Sequence, residues 1–396
     1  MIVPAPTLAR RLVAVVLLVL SLPLPAAATA TQSLHQTSAL RCSTCHWQIY
    51  LQWQSSMHAQ STALSDPIHA AFYRNVAGDP QADGVTINGK YPICLQCHAP
   101  AAALDRQTRL DTLPVYSEGV TCVSCHALAS YRGVTAPDGK LRLGMQAYDQ
   151  AKDHLQGPTG GSVVEGHPFP VAANGALLTS NDICMGCHER RNNPQGVPLC
   201  RTGDEYTAAA TSVTCQACHM PIVGGMVDHS MLGGHSLAMI RRAVTLTVTA
   251  SKARDGVTAT VTVQNRLLHG FPTGAPFRSA YLEVVGLDRA GHEVWRSFRE
   301  SPTDDPQGTF AISLVDETGQ ATPPPKATRI AADTRLKPGE ARRLIYYPIT
   351  GKGITQVRAR LFYRLLPPAL EQQLGDALKD SLKGPRLAAA AVADVK

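Results

Sequence analysis

Cys42-Ser43-Thr44-Cys45-His46 decides how this chain is organised, because its C-x-x-C-H spelling returns four more times. The repeats are Cys94/Cys97/His98, Cys122/Cys125/His126, Cys184/Cys187/His188 and Cys215/Cys218/His219, and they use ten of the eleven cysteines. At this spacing two thiols add across the two vinyl groups of a haem, while the adjacent histidine reaches the iron from the same side. Zinc sites need paired C-x-x-C ligand sets, with no demand for a histidine after every pair. A single chance copy has a probability on the order of one in a hundred, so five independent copies are negligible. The pattern implies five covalently attached haem c groups.

Motif spacing shows how such cofactors would be packed. First cysteines are separated by 52, 28, 62 and 31 residues. A segment of about 200 residues around five porphyrins has little room for an ordinary core. Short helices and loops are expected there, and the low aromatic content of 5% fits, since the rings themselves supply large flat apolar surfaces.

Nine histidines lie outside the motifs: His35, His58, His69, His154, His167, His229, His235, His269 and His292. Five distal positions need filling if every iron is bis-histidine. His58 follows His46 by twelve residues, or about 18 Å if one helix runs through. Two nitrogens on one iron lie only about 4 Å apart, so His58 is expected to serve a neighbouring haem. His167 sits in the loop Gly166-His167-Pro168. His229 and His235 flank Ser230 to Gly234, whose glycine pair permits a tight turn. The expected distal set is therefore His58, His167, His229 and His235. His154 is a reserve, His69 reads as a helix-surface residue, and His35 and His292 have no supporting context. Met57, Met220 and Met231 read as packing residues, and Cys200, the odd cysteine, as a buried thiol.

Met1 to Ala30 reads as a signal peptide, with Arg10 and Arg11 before the apolar run Leu12 to Leu24 and Ala28-Thr29-Ala30 as the cleavage site. The run is short for a bilayer span, and no later stretch is long enough, so no transmembrane segment is expected in the mature chain. An exported chain with this many cysteines would ordinarily carry disulfides, but the spacing commits them to haem. Removing the signal takes the net charge from +7 to +5 through loss of Arg10 and Arg11. That basic excess reads as counter-charge to haem propionates, not as a nucleic-acid footprint.

Beyond residue 240 the texture changes. Val244 to Thr249 and Val257 to Val263 alternate with period two around Ala253-Arg254-Asp255-Gly256, a hairpin signal. Further strands are expected at Ala280 to Leu287, His292 to Phe298, Ala311 to Val315, Ala341 to Pro348 and Gln356 to Tyr363. The fold class is multidomain α + β: a mostly helical or irregular multihaem cytochrome domain over 31–240, then an antiparallel immunoglobulin-like β-sandwich over 241–370. Residues 371–396 are expected to form a tail, as a terminal helix or a frayed end.

Cys42 to His46 followed by Trp53 and Met57-His58-Ala59 resembles the haem domain of the cytochrome c-554-type proteins, whose wider relatives include hydroxylamine oxidoreductase. So do Glu118-Gly119-Val120 ahead of Cys122, Cys200 with Thr202, and Val213-Thr214-Cys215-Gln216 running to Met220-Pro221. Leu268-His269-Gly270-Phe271-Pro272-Thr273-Gly274 resembles a loop of members with a C-terminal sandwich, although here His269 precedes the first glycine. Taken alone this loop is ordinary turn chemistry; facing the haem domain, His269 becomes a ligand or a propionate partner. The resemblance covers roughly residues 40–365. It implies closely stacked haem pairs, mostly bis-histidine ligation and periplasmic electron transfer, with distal roles for His58, His167 and one or both of His229 and His235. Five motifs in place of four, and Tyr206 where Trp is expected, leave the pairing of haems with ligands open.

Three functions fit these readings. The first is an electron carrier exchanging electrons with other cytochromes or a membrane quinol-linked protein. The second is an oxidoreductase acting on small nitrogen or sulfur compounds at one five-coordinate haem; no C-x-x-C-K motif occurs, which weighs against lysine-ligated nitrite reductases. The third is a filament of chains joined end to end. The carrier is preferred on fold-level analogy.

Overall fold

Each C-x-x-C-H motif closes a helical turn. The His46 amide donates to Cys42 O at 2.9 Å and that of His98 to Cys94 O at 3.0 Å. Short helices at Leu95–His98, with Cys94 as its N-cap, and at Cys122–His126, Asp182–His188 and Cys215–His219 carry the later motifs. In an α-turn, residues three and four apart share a face, so both sulfurs and the imidazole are presented to one side. Helices this short are not stable alone. What they clasp must hold them.

The computed structural model describes Met1 and residues 33–159 and 166–396; apart from Met1, the signal-peptide reading lies outside the described residues. The motif-bearing segment has small, dispersed cores. One gathers Tyr73, Leu95 and Leu110 around Ala99 and Ala101 to Ala103, where small side chains let short elements approach closely. Another sets Leu128, Met145, Tyr148 and Leu177 together.

From Val244 onward one large core dominates, which Ile68 and Ile240 join from the motif-bearing segment. The strands are β1 Val244–Ala253, β2 Gly256–Asn265, β3 Ser279–Leu287, β4 Glu293–Arg296, β5 Ala341–Ile349, β6 Gln356–Arg364 and β7 Arg386–Asp394. One antiparallel sheet has the order β5-β2-β1; the other runs β4-β3-β6-β7, with Thr309–Phe310 pairing β3. Period-two alternation buries Val257, Ala259, Val261 and Val263 on β2, and Val357, Ala359, Leu361 and Tyr363 on β6. These residues interdigitate between the sheets as an antiparallel sandwich requires.

The alternating segments form strands where the pattern placed them, and β1 and β2 pair in full register around Arg254-Asp255. Two segments differ from expectation. Ile312–Val315 leaves the sandwich and pairs with Arg329–Asp333 in a separate hairpin. The Ala-rich end is a strand: β7 pairs with β6 along its length, and the Lys252 amide donates to Lys396 O at 2.9 Å. Alanine's helix propensity is a weak prior that an open sheet edge overrides.

Residues 34–396 pack as one compact unit. Phe72 stacks on Phe277 at 5.2 Å. The buried Asn193 amide donates to Pro324 O and Ala327 O at 3.0 and 2.7 Å. Glu205, in the helix Thr202–Ala208, accepts from the Gly270 amide at 3.0 Å and the Thr273 hydroxyl at 2.6 Å, and pairs with Arg335 at 2.7 Å. That last contact bears directly on the site.

Candidate functional site

Four of the five motif histidines face a second histidine at nearly one distance. Ring centroids are 6.4 Å apart for His46 and His167, 6.1 Å for His58 and His188, 6.5 Å for His126 and His229, and 6.4 Å for His219 and His269. Two imidazoles trans on one metal, with metal–nitrogen bonds of about 2 Å, place their centroids about 6.4 Å apart. The separation matches an iron between the rings, and is too wide for direct stacking.

In five of these eight histidines the ring nitrogen not needed for the metal is engaged by a carbonyl, and His58 Nδ1 meets Met231 Sδ at 2.7 Å. Nδ1 donates to a backbone carbonyl in His126 (Gln156 O, 2.8 Å), His219 (Leu232 O, 2.7 Å), His167 (Phe169 O, 2.6 Å), His229 (Val227 O, 2.8 Å) and His269 (Gly270 O, 3.0 Å). An Nδ1–H bound this way fixes the tautomer with a free Nε2 and makes that nitrogen a better ligand. Burial also pushes His58 down to about 4 and lowers His126, His188 and His269, which keeps them in the neutral form that coordinates.

The local sequence explains how His58 is placed. Trp53 Nε1–H donates to Val120 O at 2.7 Å, and the Val120 amide donates to His58 O at 2.9 Å. Gly119 between them has φ +71°, and a Cβ there would lie 2.2 Å from His58 O, so only glycine fits. Glu118 accepts from the Ser38 hydroxyl and, at 2.9 Å, from the Ala39 amide, capping the helix that leads into the first motif. The Glu-Gly-Val run therefore ties the first and third motifs together.

Sulfurs of different motifs also meet. Cys42 lies by Cys122, Cys97 by Cys187 and Cys184 by Cys215, and Cys125 is near Cys184 and Cys187. The ten attachment cysteines also differ in exposure. Cys45 and Cys218, the second cysteines of the first and fifth motifs, are exposed, whereas the other eight are partly buried. Cys218 has no side-chain hydrogen bond among the described residues, and its helix, Cys215–His219, buries none of its residues. The fifth motif thus sits at the rim of the array, where the chain supplies little cover. The chain alone does not enclose Cys218 as it does Cys125 and Cys187, so its assignment as an attachment residue stands on the motif. Cys200 lies within 3.6 Å of His188 O and is half-buried, not buried as expected.

Comparison with known proteins agrees with this geometry. The family described as "Cytochrome c554 and c-prime" matches residues 41–127. A penta-haem cytochrome c552 from Thermochromatium tepidum aligns with 43% identity and a TM-score of 0.86 over 92% of this chain and 100% of its own. The chain belongs to the pentahaem cytochromes c. Its cofactors are five covalently attached haem c groups, and electron transfer is its general role. No curated protein matches it.

In this cytochrome the remaining motif histidine differs from the other four. His98 has His69 beside it with centroids only 3.9 Å apart, and both Nδ1 atoms donate to Ser61 O, at 2.9 and 2.8 Å. Two imidazoles trans on one iron hold their Nδ1 atoms about 8 Å apart by the same bond lengths. Sharing one oxygen keeps these two within about 6 Å at normal hydrogen-bond lengths. His69, expected on a helix surface, instead packs against a motif histidine without facing it across a metal.

The other histidines are committed elsewhere. His35 Nε2 meets Asp105 at 2.8 Å, and His154 uses both nitrogens on Asp153 and Gln156. His292 lies exposed against Asp288. His235, expected as a distal ligand, has no ring contact with a motif histidine among the described residues; His269 occupies that relation to His219. His269 was legible only as one of two roles for its loop, because the fold, not local spelling, carries the loop to His219. The carbonyl acceptors leave no mark in sequence at all.

Proposed function

We propose that the chain is an exported, periplasmic electron carrier in which each C-x-x-C-H motif holds one haem and four of the irons are bis-histidine. The ligand pairs are His46 with His167, His188 with His58, His126 with His229, and His219 with His269. Bound haem supplies a one-electron ferric–ferrous couple. The cysteines would attach each group, the paired imidazoles would hold its iron, and the carbonyls on Nδ1 orient those imidazoles. The four ring separations of 6.1 to 6.5 Å carry this reading.

Neighbouring sulfurs order the attachment points. The first motif adjoins the third, the third lies by the fourth, and the fourth adjoins both the second and the fifth. Such a sequence supports a path from the first motif to the fifth with the second as a branch at the fourth. Exposure of Cys45 and Cys218 fits these two motifs as the ends of that path, where a partner can approach. The partners are other cytochromes or a membrane quinol-linked protein. Stopped-flow mixing of the reduced protein with a small oxidised c-type cytochrome tests the role. Delivery of five electrons per chain is expected; failure to exchange, alongside turnover of hydroxylamine, nitrite or tetrathionate, overturns it.

A second reading places chemistry on a small ligand at the Cys94/Cys97/His98 haem. It rests on the shared Ser61 acceptor, which keeps His69 from standing opposite His98. Arg191 Nη1 lies 2.8 Å from Cys97 Sγ, a positive charge with no ion-pair partner among the described residues. Carbon monoxide titration of the reduced protein separates the readings: one bound per five haems supports an open iron, and none removes it.

A further inference from the structure

One cluster of charge lies apart from the facing histidine pairs. Arg386, the first residue of β7, donates through Nη2 to Gly234 O at 2.7 Å and through Nη1 to His235 O at 3.0 Å. Its guanidinium stands 5.2 Å from the centroid of the Tyr363 ring. Arg278 reaches the same loop after donating to Thr273 O at 3.2 Å. A Cβ on Gly234 would lie 2.6 Å from Arg278 Nη1 and 2.8 Å from the Tyr363 hydroxyl. Glycine at this position lets both groups close on the loop.

The cluster holds four orphaned atoms that can all donate. Arg278 Nε, Arg386 Nε, His235 Nδ1 and the Tyr363 hydroxyl are all buried without a hydrogen-bond partner. Neither arginine forms an ion pair among the described residues. Asp66 is near enough for its charge to act on Arg278, but its Oδ1 caps the helix Pro67–Val76 by accepting from the Ile68 amide at 2.9 Å. Buried donors are normally satisfied, and two guanidiniums brought together away from water need an anion between or beside them. Four orphaned groups converging on one loop call for an anion with several oxygens.

We infer that Arg278, Arg386, His235 and Tyr363 form a carboxylate cradle that holds a propionate of the haem ligated by His188 and His58. The inference rests on the reading that these two histidines share one iron. Arg278 lies close enough to His188 for its charge to bear on that imidazole. Propionates leave the porphyrin on the edge opposite the cysteine-bound vinyl groups, so a cradle belongs away from the attachment sulfurs, and none of these four residues hydrogen-bonds an attachment cysteine among the described residues. It gives His235 a role that needs no iron, and the four facing pairs are complete without it.

The test uses the holoprotein and the variants R278Q, R278K, R386Q, Y363F and H235A. Loss of a positive charge beside a propionate favours the ferric state. R278Q and R386Q should each move one-fifth of the redox titration amplitude to lower potential and alter the resonance Raman propionate bending band of one haem. R278K should stay near wild type. H235A should keep the full number of bis-histidine haems by EPR. Because Arg386 also ties down the terminal strand, R278Q and Y363F decide the matter if R386Q fails to fold. Unchanged potentials and bands in R278Q and Y363F overturn the cradle, as does loss of a low-spin haem in H235A. A step that follows added sulfate or phosphate in wild type, with propionate bands unchanged by the variants, assigns the cluster to a free anion and overturns the propionate. An H58A variant with its bis-histidine count intact removes the underlying ligation instead, whatever the arginine variants do.

Discussion

At the scale of single residues, small groups hold large ones. Gly119 carries no side chain, yet its positive φ and its approach to His58 O make it a condition for placing that imidazole. Gly119→Ala adds left-handed strain of about 1–2 kcal/mol and a collision that must be relieved by moving the His58 backbone. The expected result is a lower yield of holoprotein and loss of one low-spin signal in the ferric EPR spectrum; an unchanged spectrum contradicts the placement. Asp105 gives a second case. Burial would raise its carboxyl, but hydrogen bonds from Tyr116, Gln36 and His35 outweigh that and hold it below the ordinary 3.8. A carboxyl depressed on folding stabilises the folded state above its unfolded value, and that contribution fades as pH falls through the folded one. Asp105→Asn should therefore narrow the stability gap between pH 5 and pH 3, roughly the window in which a depressed aspartate titrates, as followed by thermal unfolding.

Elements matter here through what they carry across the molecule. The loop between β2 and β3 presents His269, and it is gripped from two sides. Buried Asn265 donates to His269 O at 2.8 Å and to Lys337 O at 2.9 Å, while Glu205 takes Gly270 N–H and the Thr273 hydroxyl from the motif-bearing side. Glu205 is thus a positioning residue for His269. Glu205→Ala removes both acceptors and leaves Arg335 half-buried without its Glu205 partner, a loss of about 2–4 kcal/mol by analogy with broken buried pairs. It should convert about one-fifth of the ferric haem to high spin, to the same extent as His269→Ala, whereas Glu205→Gln, which keeps both acceptors, should recover much of the low-spin signal. Equal spectra for wild type and Glu205→Ala contradict this coupling. On the sandwich itself, buried Glu283 between Arg296 and Arg360 ties β3 to β4 and β6 on the face away from the core.

Over the whole molecule, what could be read in sequence tracks how local the determinant is. The attachment motifs are five-residue facts, and strand alternation in β1, β2 and β6 is nearly as local, so both are plain from spelling. How deeply the fold encloses each sulfur is not local, which is why Cys218 and Cys187 share a spelling and differ in exposure. His58, His167 and His229 stood out through position near motifs and glycine-rich turns. Which motif histidine each one faces depends on how four short helices and a distant loop close on each other, and no window of sequence contains that. His235 and His269 illustrate the difference: similar residues near similar glycines, with His269 facing His219 and His235 lying among arginines. The Ala-rich end misled for the same reason, since the open edge of β6 lies outside the segment that fills it.

In the proposed arrangement four of the five irons are held by histidine from both sides. Low-temperature EPR combined with near-infrared magnetic circular dichroism on the fully oxidised protein counts axial ligand pairs directly. Four bis-histidine low-spin haems out of five, with the remaining one of another type, is the predicted result. Fewer than four, or a methionine-ligated signal among them, contradicts it.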